Sequence, residues 1–468
     1  MGTVERIEGY LFRGYYNFTR NSIHKSILYL MPLEVCCFFL LFNYPIKSLI
    51  FLGILAIIVI VYLKPGFGLY GCVAIRFSGI EYSFSIEGLF AFFAIITFTA
   101  WIIRSIYRGK AHIYFDQQGK YLLFFILAGC LSILNAEDYG LGFKALFIWL
   151  KDFLFFILVV NLLSKPKHIN EVLSVIIGIL TLSIAYDFAT NGLGTYLHIL
   201  QLHRMKGFST DPNYFAITLV MTAPLIFALL IEETTLWKRV ALGTLFLLFF
   251  TGIVFSYSRG GIIGLISVLP IMFFSRRNLK WNLLSVFLII FILFQVVPPQ
   301  FWSRVKSITN LRADLSIMKR LLLFKAGISM FLHHPFLGIG WGNFINASKR
   351  YIGLFGALAH NMYLEVLAEG GLIGFIPFVG LIWISMGNFR KASKEFLRCG
   401  KSTMYAISKG LMVGFIGFLI SGFFLSVQEY KIFIIMLALS SVLKRISGSK
   451  ISDESEHPIR YIRHTTCI

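Results

Sequence analysis

Hydrophobic positions in this chain fall in unbroken blocks, with polar positions gathered in the gaps between them. The pattern has neither the three-to-four spacing of a surface helix nor the alternation of a barrel strand. A membrane crossing takes about 20 apolar residues, with a range of about 17–25. On that measure the sequence predicts spans near 27–42, 47–63, 86–103, 121–135, 143–163, 169–190, 213–231, 237–257, 261–275, 281–296, 371–388, 405–426 and 429–443. One long stretch without a span separates residues 297 and 360. The expected fold class is an all-α polytopic membrane protein of about 12–14 transmembrane helices with one long outward-facing loop.

Composition agrees with the pattern. Of the 468 residues 57% are hydrophobic and 14% charged, against about 25% charged in soluble domains. That excludes an ordinary cytosolic enzyme, a disordered chain and a secreted disulfide scaffold. The six cysteines show no metal-ligand spacing, and no metal or cofactor is expected.

The charge is lopsided, with 43 Lys and Arg against 22 Asp and Glu for a net of +21. In a membrane protein this is read as cytoplasmic loops meeting anionic membrane lipid, and no nucleic-acid partner is expected. Basic clusters lie near 104–120, 165–167, 238–239, 276–280, 390–401 and 444–450, each two crossings from the next. The connections between them, at Glu137–Asp138, 191–212, 258–260 and 297–360, are therefore expected to face outward. Thirteen crossings would leave the basic residues 1–26 outside, against the same rule. Either 27–63 crosses once, interrupted by Pro32 and Pro45, or 65–82 holds a further crossing. The expected organisation is a cytoplasmic N-terminus over 1–26 and membrane helices over 27–296. A periplasmic or extracellular loop with amphipathic helices follows over 297–360, then final membrane helices over 361–446 and a cytoplasmic tail over 447–468.

The outward stretches carry the unusual chemistry. In the run Arg204-Met-Lys206-Gly-Phe-Ser-Thr-Asp211-Pro212-Asn213, Asp211 reads as a helix cap and Pro212 as the first helical residue. Capping does not explain Arg204 and Lys206, and two cations beside a helix amino end suit a phosphate. Ser258-Arg259-Gly260-Gly261 is a turn between spans. Its Arg either snorkels to headgroups or meets a ligand that the glycines let approach. The 297–360 loop holds eight Lys and Arg, among them Arg304, Lys306, Arg312, Lys319 and Arg320, against Asp314 alone, a net of +7. Within it, 315–332 reads as an amphipathic helix with Leu315, Met318, Leu322 and Leu323 on its apolar face. Such a helix is compatible with resting on the membrane surface, with or without Arg320 reaching a phosphate.

Gly338, Gly340 and Gly342 lack the spacing and the strand–helix setting of a dinucleotide site and read as a tight loop. His333 and His334 have no third metal ligand at sensible spacing. His360 opens a helix at the outer boundary, followed by Asn361, by Glu365 and Glu369 four apart, and by Gly370-Gly371. Histidine is a suitable proton acceptor near neutral pH.

The ordered set Arg204…Gly207…Asp211-Pro-Asn213, Ser258-Arg259-Gly260, His334-Pro335-Phe-Leu-Gly338-Ile-Gly340-Trp-Gly342-Asn-Phe344 and His360-Asn361…Leu364…Glu369-Gly370…Gly374 resembles the O-antigen ligase and polymerase superfamily. The resemblance covers about residues 90–440. It implies the fold of the C-type glycosyltransferases and an active site on the outer face of the cytoplasmic (inner) membrane. The donor would be a glycan on undecaprenyl diphosphate. The acceptor would be lipid A–core in a ligase, the reading placed first, or another lipid-linked glycan in an O-antigen or exopolysaccharide polymerase.

On this reading Arg204 and Arg259 hold the diphosphate with Lys206 and Arg320 in support, and His360 is the general base of a metal-independent inverting transfer. Asn213, Asn361, Glu365 and Glu369 support them. The rival of a different class is a lipid-linked glycan flippase or exporter. Its best feature is Lys151-Asp152 inside a span, a couple equally compatible with internal pairing or snorkelling.

Overall fold

The computed structural model of the chain describes residues 45–83, 86, 88–107, 109, 113–197, 203–273, 315–352, 356–428 and 431–449. The predicted spans 27–42 and 281–296, the segments 1–26 and 450–468, and Arg304, Lys306, Arg312 and Asp314 lie outside the described residues. The chain divides into two units, residues 1–67 and 68–468. In the first, α1 (Pro45–Leu63) is an apolar helix followed by a turn in which the Phe67 amide donates to the Lys64 carbonyl at 3.0 Å. The division falls in the first turn of α2 (Pro65–Ser78), a helix in the region 65–82 where a further crossing is possible.

The second unit continues with α3 (Leu89–Tyr107), α4 (Gln117–Ser132), α5 (Tyr139–Leu162), α6 (Pro166–Asn191), α7 (Pro212–Glu232), α8 (Leu236–Phe255) and α9 (Arg259–Phe273). Then come α10 (Leu315–His333), α11 (Phe344–Ile352), α12 (Met362–Arg398), α13 (Ser402–Ser421) and α14 (Lys431–Gly448). No strand occurs among the described residues. Eight of these helices (α3 to α8, α12 and α13) are long and apolar enough to cross a membrane. The chain is an all-α polytopic membrane protein.

Small residues set the central packing. A side chain at Gly414 of α13 would lie 1.9 Å from the Met221 carbonyl of α7, and one at Gly410 would lie 2.6 Å from the Leu225 backbone. Spaced four apart on one face, these glycines bring α13 directly onto α7, the close approach that drives helix association in lipid. A side chain at Gly261 of α9 would lie 2.7 Å from the Ala216 Cβ, so this glycine also serves helix packing.

Two elements differ from the sequence expectation. The 371–388 span is part of the 37-residue α12, broken at Gly371 (φ 57, ψ −161). The Leu372 and Ile373 amides bond to the carbonyls of Pro335 and Phe336 at 2.9 and 3.1 Å. Those of Ile339 and Gly340 bond back to the Ala368 and Glu369 carbonyls at 3.0 and 3.1 Å. The glycine-rich loop thus threads the break in α12, satisfying amides and carbonyls that lipid could not. Gly338 (φ 71) faces the Glu369 carbonyl 2.3 Å from where a Cβ would stand, so no larger residue fits. The second difference is α10, whose buried face is Leu323, Ala326 and Met330, packed with Leu364 and Ala368 of α12. Leu323 of the face assigned from sequence is buried there, while Met318 and Leu322 of that face are exposed, as residues resting on lipid would be.

Asp152 is paired internally, with Arg76 of α2 at 2.6 Å, and both side chains are buried. The Arg76 guanidinium also lies 3.6 Å from the centre of the Phe90 ring. Lys151 is exposed, its ammonium 5.0 Å from the Phe147 ring centre. Truncating one partner of a buried ion pair costs about 3–5 kcal/mol, whereas replacing both with apolar residues is often neutral. Asp152→Ala is therefore expected to lower the thermal midpoint of the solubilised protein strongly, and Arg76→Met with Asp152→Leu to restore most of it. An unchanged midpoint in Asp152→Ala would contradict this role.

Candidate active site

One end of the bundle collects the stretches that carry unusual charge. The loop before α7 is held by the end of α6. There the buried Asp187 carboxylate accepts the Lys206 amide at 2.8 Å, the Gly207 amide at 2.6 Å, the Asn191 side chain at 2.7 Å and the Tyr196 hydroxyl. Ser183 accepts the Phe208 amide at 2.8 Å. Gly207 has φ 57, and a Cβ there would meet the Ser183 hydroxyl at 2.1 Å. Asp211 caps α7 by accepting the Asn213 amide at 2.6 Å, and Pro212 is the first helical residue, as the sequence predicts.

Arg204 is fixed by this frame. Its Nε donates to the Ser256 carbonyl at 2.9 Å and one terminal nitrogen to Asn213 Oδ1 at 2.8 Å. Ser256 belongs to the turn that ends in Arg259, the first residue of α9, so Arg204 is tied to the Arg259 turn. Asn213 orients Arg204. Lys206 is fixed through its backbone, and its side chain is exposed.

His360 sits just before α12 with φ 53, a left-handed conformation costly for a residue with a Cβ. Asn361 caps the helix, its Oδ1 accepting the Tyr363 and Leu364 amides at 3.1 Å each. Glu365, in the first turn of α12, is fully buried, and its carboxylate accepts from Gln428 at 2.6 Å and from Ser426. Glu369 accepts the Phe344 amide at 2.9 Å, starting α11.

Partial burial and the nearby charges of Arg320 and Lys319 hold the His360 imidazole below its ordinary value of about 6.5, with Asp211 opposing. The charges that act on His360 thus come from α10 and from the cap of α7. The same end is tied laterally by Arg350 to Glu137 at 2.9 Å and by the Asp138 amide to Asn343 at 2.9 Å. At the opposite end Ser441 donates to Asp116 at 2.6 Å, and Arg445 donates to the Leu163 carbonyl at 2.6 Å.

The structure therefore joins Arg204 to Asn213 and the Arg259 turn, and sets His360 beside its helix cap Asn361 within the charges of Arg320, Lys319 and Asp211. Glu369 serves α11 instead. Sequence reasoning missed Asp187, Ser426 and Gln428. Asp187 had a signal, being an acid near the end of an otherwise apolar span. Ser426 and Gln428 had none. Among the described residues no group of three His, Cys, Asp or Glu side chains is placed to hold a metal ion.

Residues 244–379 match the family model described as O-antigen ligase. That segment, less than half of the chain, is similar to the O-antigen ligase family. The matched segment contains Arg259, Arg320, His360, Asn361, Glu365 and Glu369, while Arg204, Lys206 and Asn213 precede it. The chain matches no curated protein. Eight described helices long and apolar enough to cross a membrane make the chain a multi-pass membrane protein.

Proposed function

We propose that this protein transfers a glycan from undecaprenyl diphosphate to an acceptor hydroxyl at the outer face of the cytoplasmic membrane, and that the reaction is O-antigen ligation to lipid A–core. The observation that carries the reading is Arg204, fixed by Asn213 and the Ser256 carbonyl, at the end of the bundle where burial and the charge of Arg320 hold His360 below its ordinary value. In one displacement the acceptor oxygen bonds to the anomeric carbon as the carbon–oxygen bond to phosphate breaks, inverting the centre. His360 takes the acceptor proton. The leaving diphosphate takes the electron pair, and its growing charge is received by Arg204 and Arg259, with Lys206 and Arg320 nearby. Arginine suits this task because its donors form a planar fork, and charge stabilisation from side chains needs no metal ion.

A general base must be unprotonated, so activity falls as pH drops through the His360 value. Arg320 is one of the cations that hold this value down. Arg320→Gln is expected to let His360 protonate at higher pH and to move the acid limb of the pH–rate profile upward, the alkaline side staying in place. A limb that does not move would contradict the assignment of His360. The deletion phenotype tests the reaction. Long lipid-linked chains that accumulate unattached mean ligation, and capped single repeat units mean polymerisation.

A further inference from the structure

A cavity of about 140 Å³ lies between α7, α9 and α13. Its rim residue Glu232 ends α7, about 30 Å along the helix from the Asp211 cap, so the cavity stands well away from the candidate active site. The polar lining is Glu232, Tyr405 and Lys409, and the walls are apolar, with Phe227, Ile271 and Val413 among them. Ile271 is exposed, on an apolar helix whose surroundings are lipid.

The three polar groups are set at different depths. Lys409 lies about two turns inside the start of α13 at Ser402, a depth at which an ionisable group marks a partner or a ligand. Its ammonium leans back toward the helix start, donating to the Tyr405 hydroxyl at 3.4 Å and lying 5.7 Å from the centre of that ring. The hydroxyl accepts this bond and keeps its own proton to donate. At the rim the turn after α7 is held by Glu233, whose carboxylate accepts the Thr234 and Thr235 amides at 3.0 and 2.9 Å. Glu232 is exposed at the edge of the cavity instead.

From the inside outward the lining therefore runs apolar wall, then a hydroxyl and a cation, then a carboxylate. A phospholipid with an amine in its headgroup runs in the same order, from acyl chain to phosphate to ammonium. We propose that this cavity seats one such lipid, phosphatidylethanolamine, with its phosphate on Tyr405 and Lys409 and its ammonium on Glu232. An acyl chain then covers Phe227, Ile271 and Val413. Phosphatidylglycerol shares the phosphate but offers Glu232 no cation, and the apolar walls give a lipid-free headgroup nothing to bury. The proposal does not depend on the transfer reaction.

The test is native mass spectrometry of the delipidated full chain, titrated with phosphatidylethanolamine and phosphatidylglycerol of matched acyl chains. The first should be retained at about tenfold lower concentration than the second, the worth of one charge-assisted hydrogen bond. Glu232→Gln should bring the two lipids together. Lys409→Gln and Ile271→Trp, which remove the inner charge and fill the cavity from its lipid side, should each weaken retention of phosphatidylethanolamine by about tenfold in protein that melts as the wild type does. Equal retention of the two lipids by wild type, or a preference for phosphatidylglycerol, overturns the proposal. So does a preference that survives Glu232→Gln, retention unchanged in Ile271→Trp, or free phosphoethanolamine bound as tightly as the lipid.

Discussion

Replacing His360 with glycine is expected to lower glycan transfer by about 10²–10⁴-fold, the usual contribution of a positioned general base. The same change should leave the fold intact or firmer. At φ 53 the backbone of residue 360 stands where glycine is at ease and a residue with a Cβ is strained. The Asn361 cap acts on backbone amides, so it holds the turn whatever side chain residue 360 bears. The variant thus separates chemistry from folding, which alanine does not. A thermal midpoint at or above wild type with transfer near background is the predicted pair of results. Full transfer in His360→Gly would remove the base assignment.

The second large effect belongs to Arg204. Removing one fixed donor aimed at developing charge costs about 10²–10³-fold, or about 2.7–4 kcal/mol of transition-state stabilisation. Arg204→Ala is expected to fall in that range in transfer assays on membranes. Arg204→Lys should recover little of it. The guanidinium is held at two points, the Ser256 carbonyl and Asn213, and a lysine ammonium cannot span both while facing a phosphate. A lysine variant with wild-type rates would mean that only a point charge is needed there.

Much of this was legible in the sequence because membrane helices announce themselves by length and apolarity. The eight described helices long and apolar enough to cross a membrane fall on predicted spans, and the cap at Asp211–Pro212 follows from local backbone chemistry alone. Arg204 and His360 stood out as polar groups at positions that capping and loop charge did not explain. What stayed hidden depends on partners far apart in the chain. Nothing local says that Gly338 and Gly340 fill a break at Gly371, or that Asp152 answers Arg76. Asp187 positions the Arg204 loop from the preceding span, and its bonds go to backbone amides that no residue pattern encodes.

The flippase alternative loses its best feature once Asp152 is seen paired with Arg76 and Lys151 exposed. The remaining division is between making a glycosidic bond and moving a finished glycan. Full-length protein reconstituted in proteoliposomes with a prenyl-diphosphate-linked glycan and a lipid A–core acceptor separates the two. The account predicts a new glycosidic bond and released prenyl diphosphate with wild-type protein, and neither product with Arg204→Ala. Glycan crossing the vesicle membrane without any new bond, or equal product from both proteins, would contradict it.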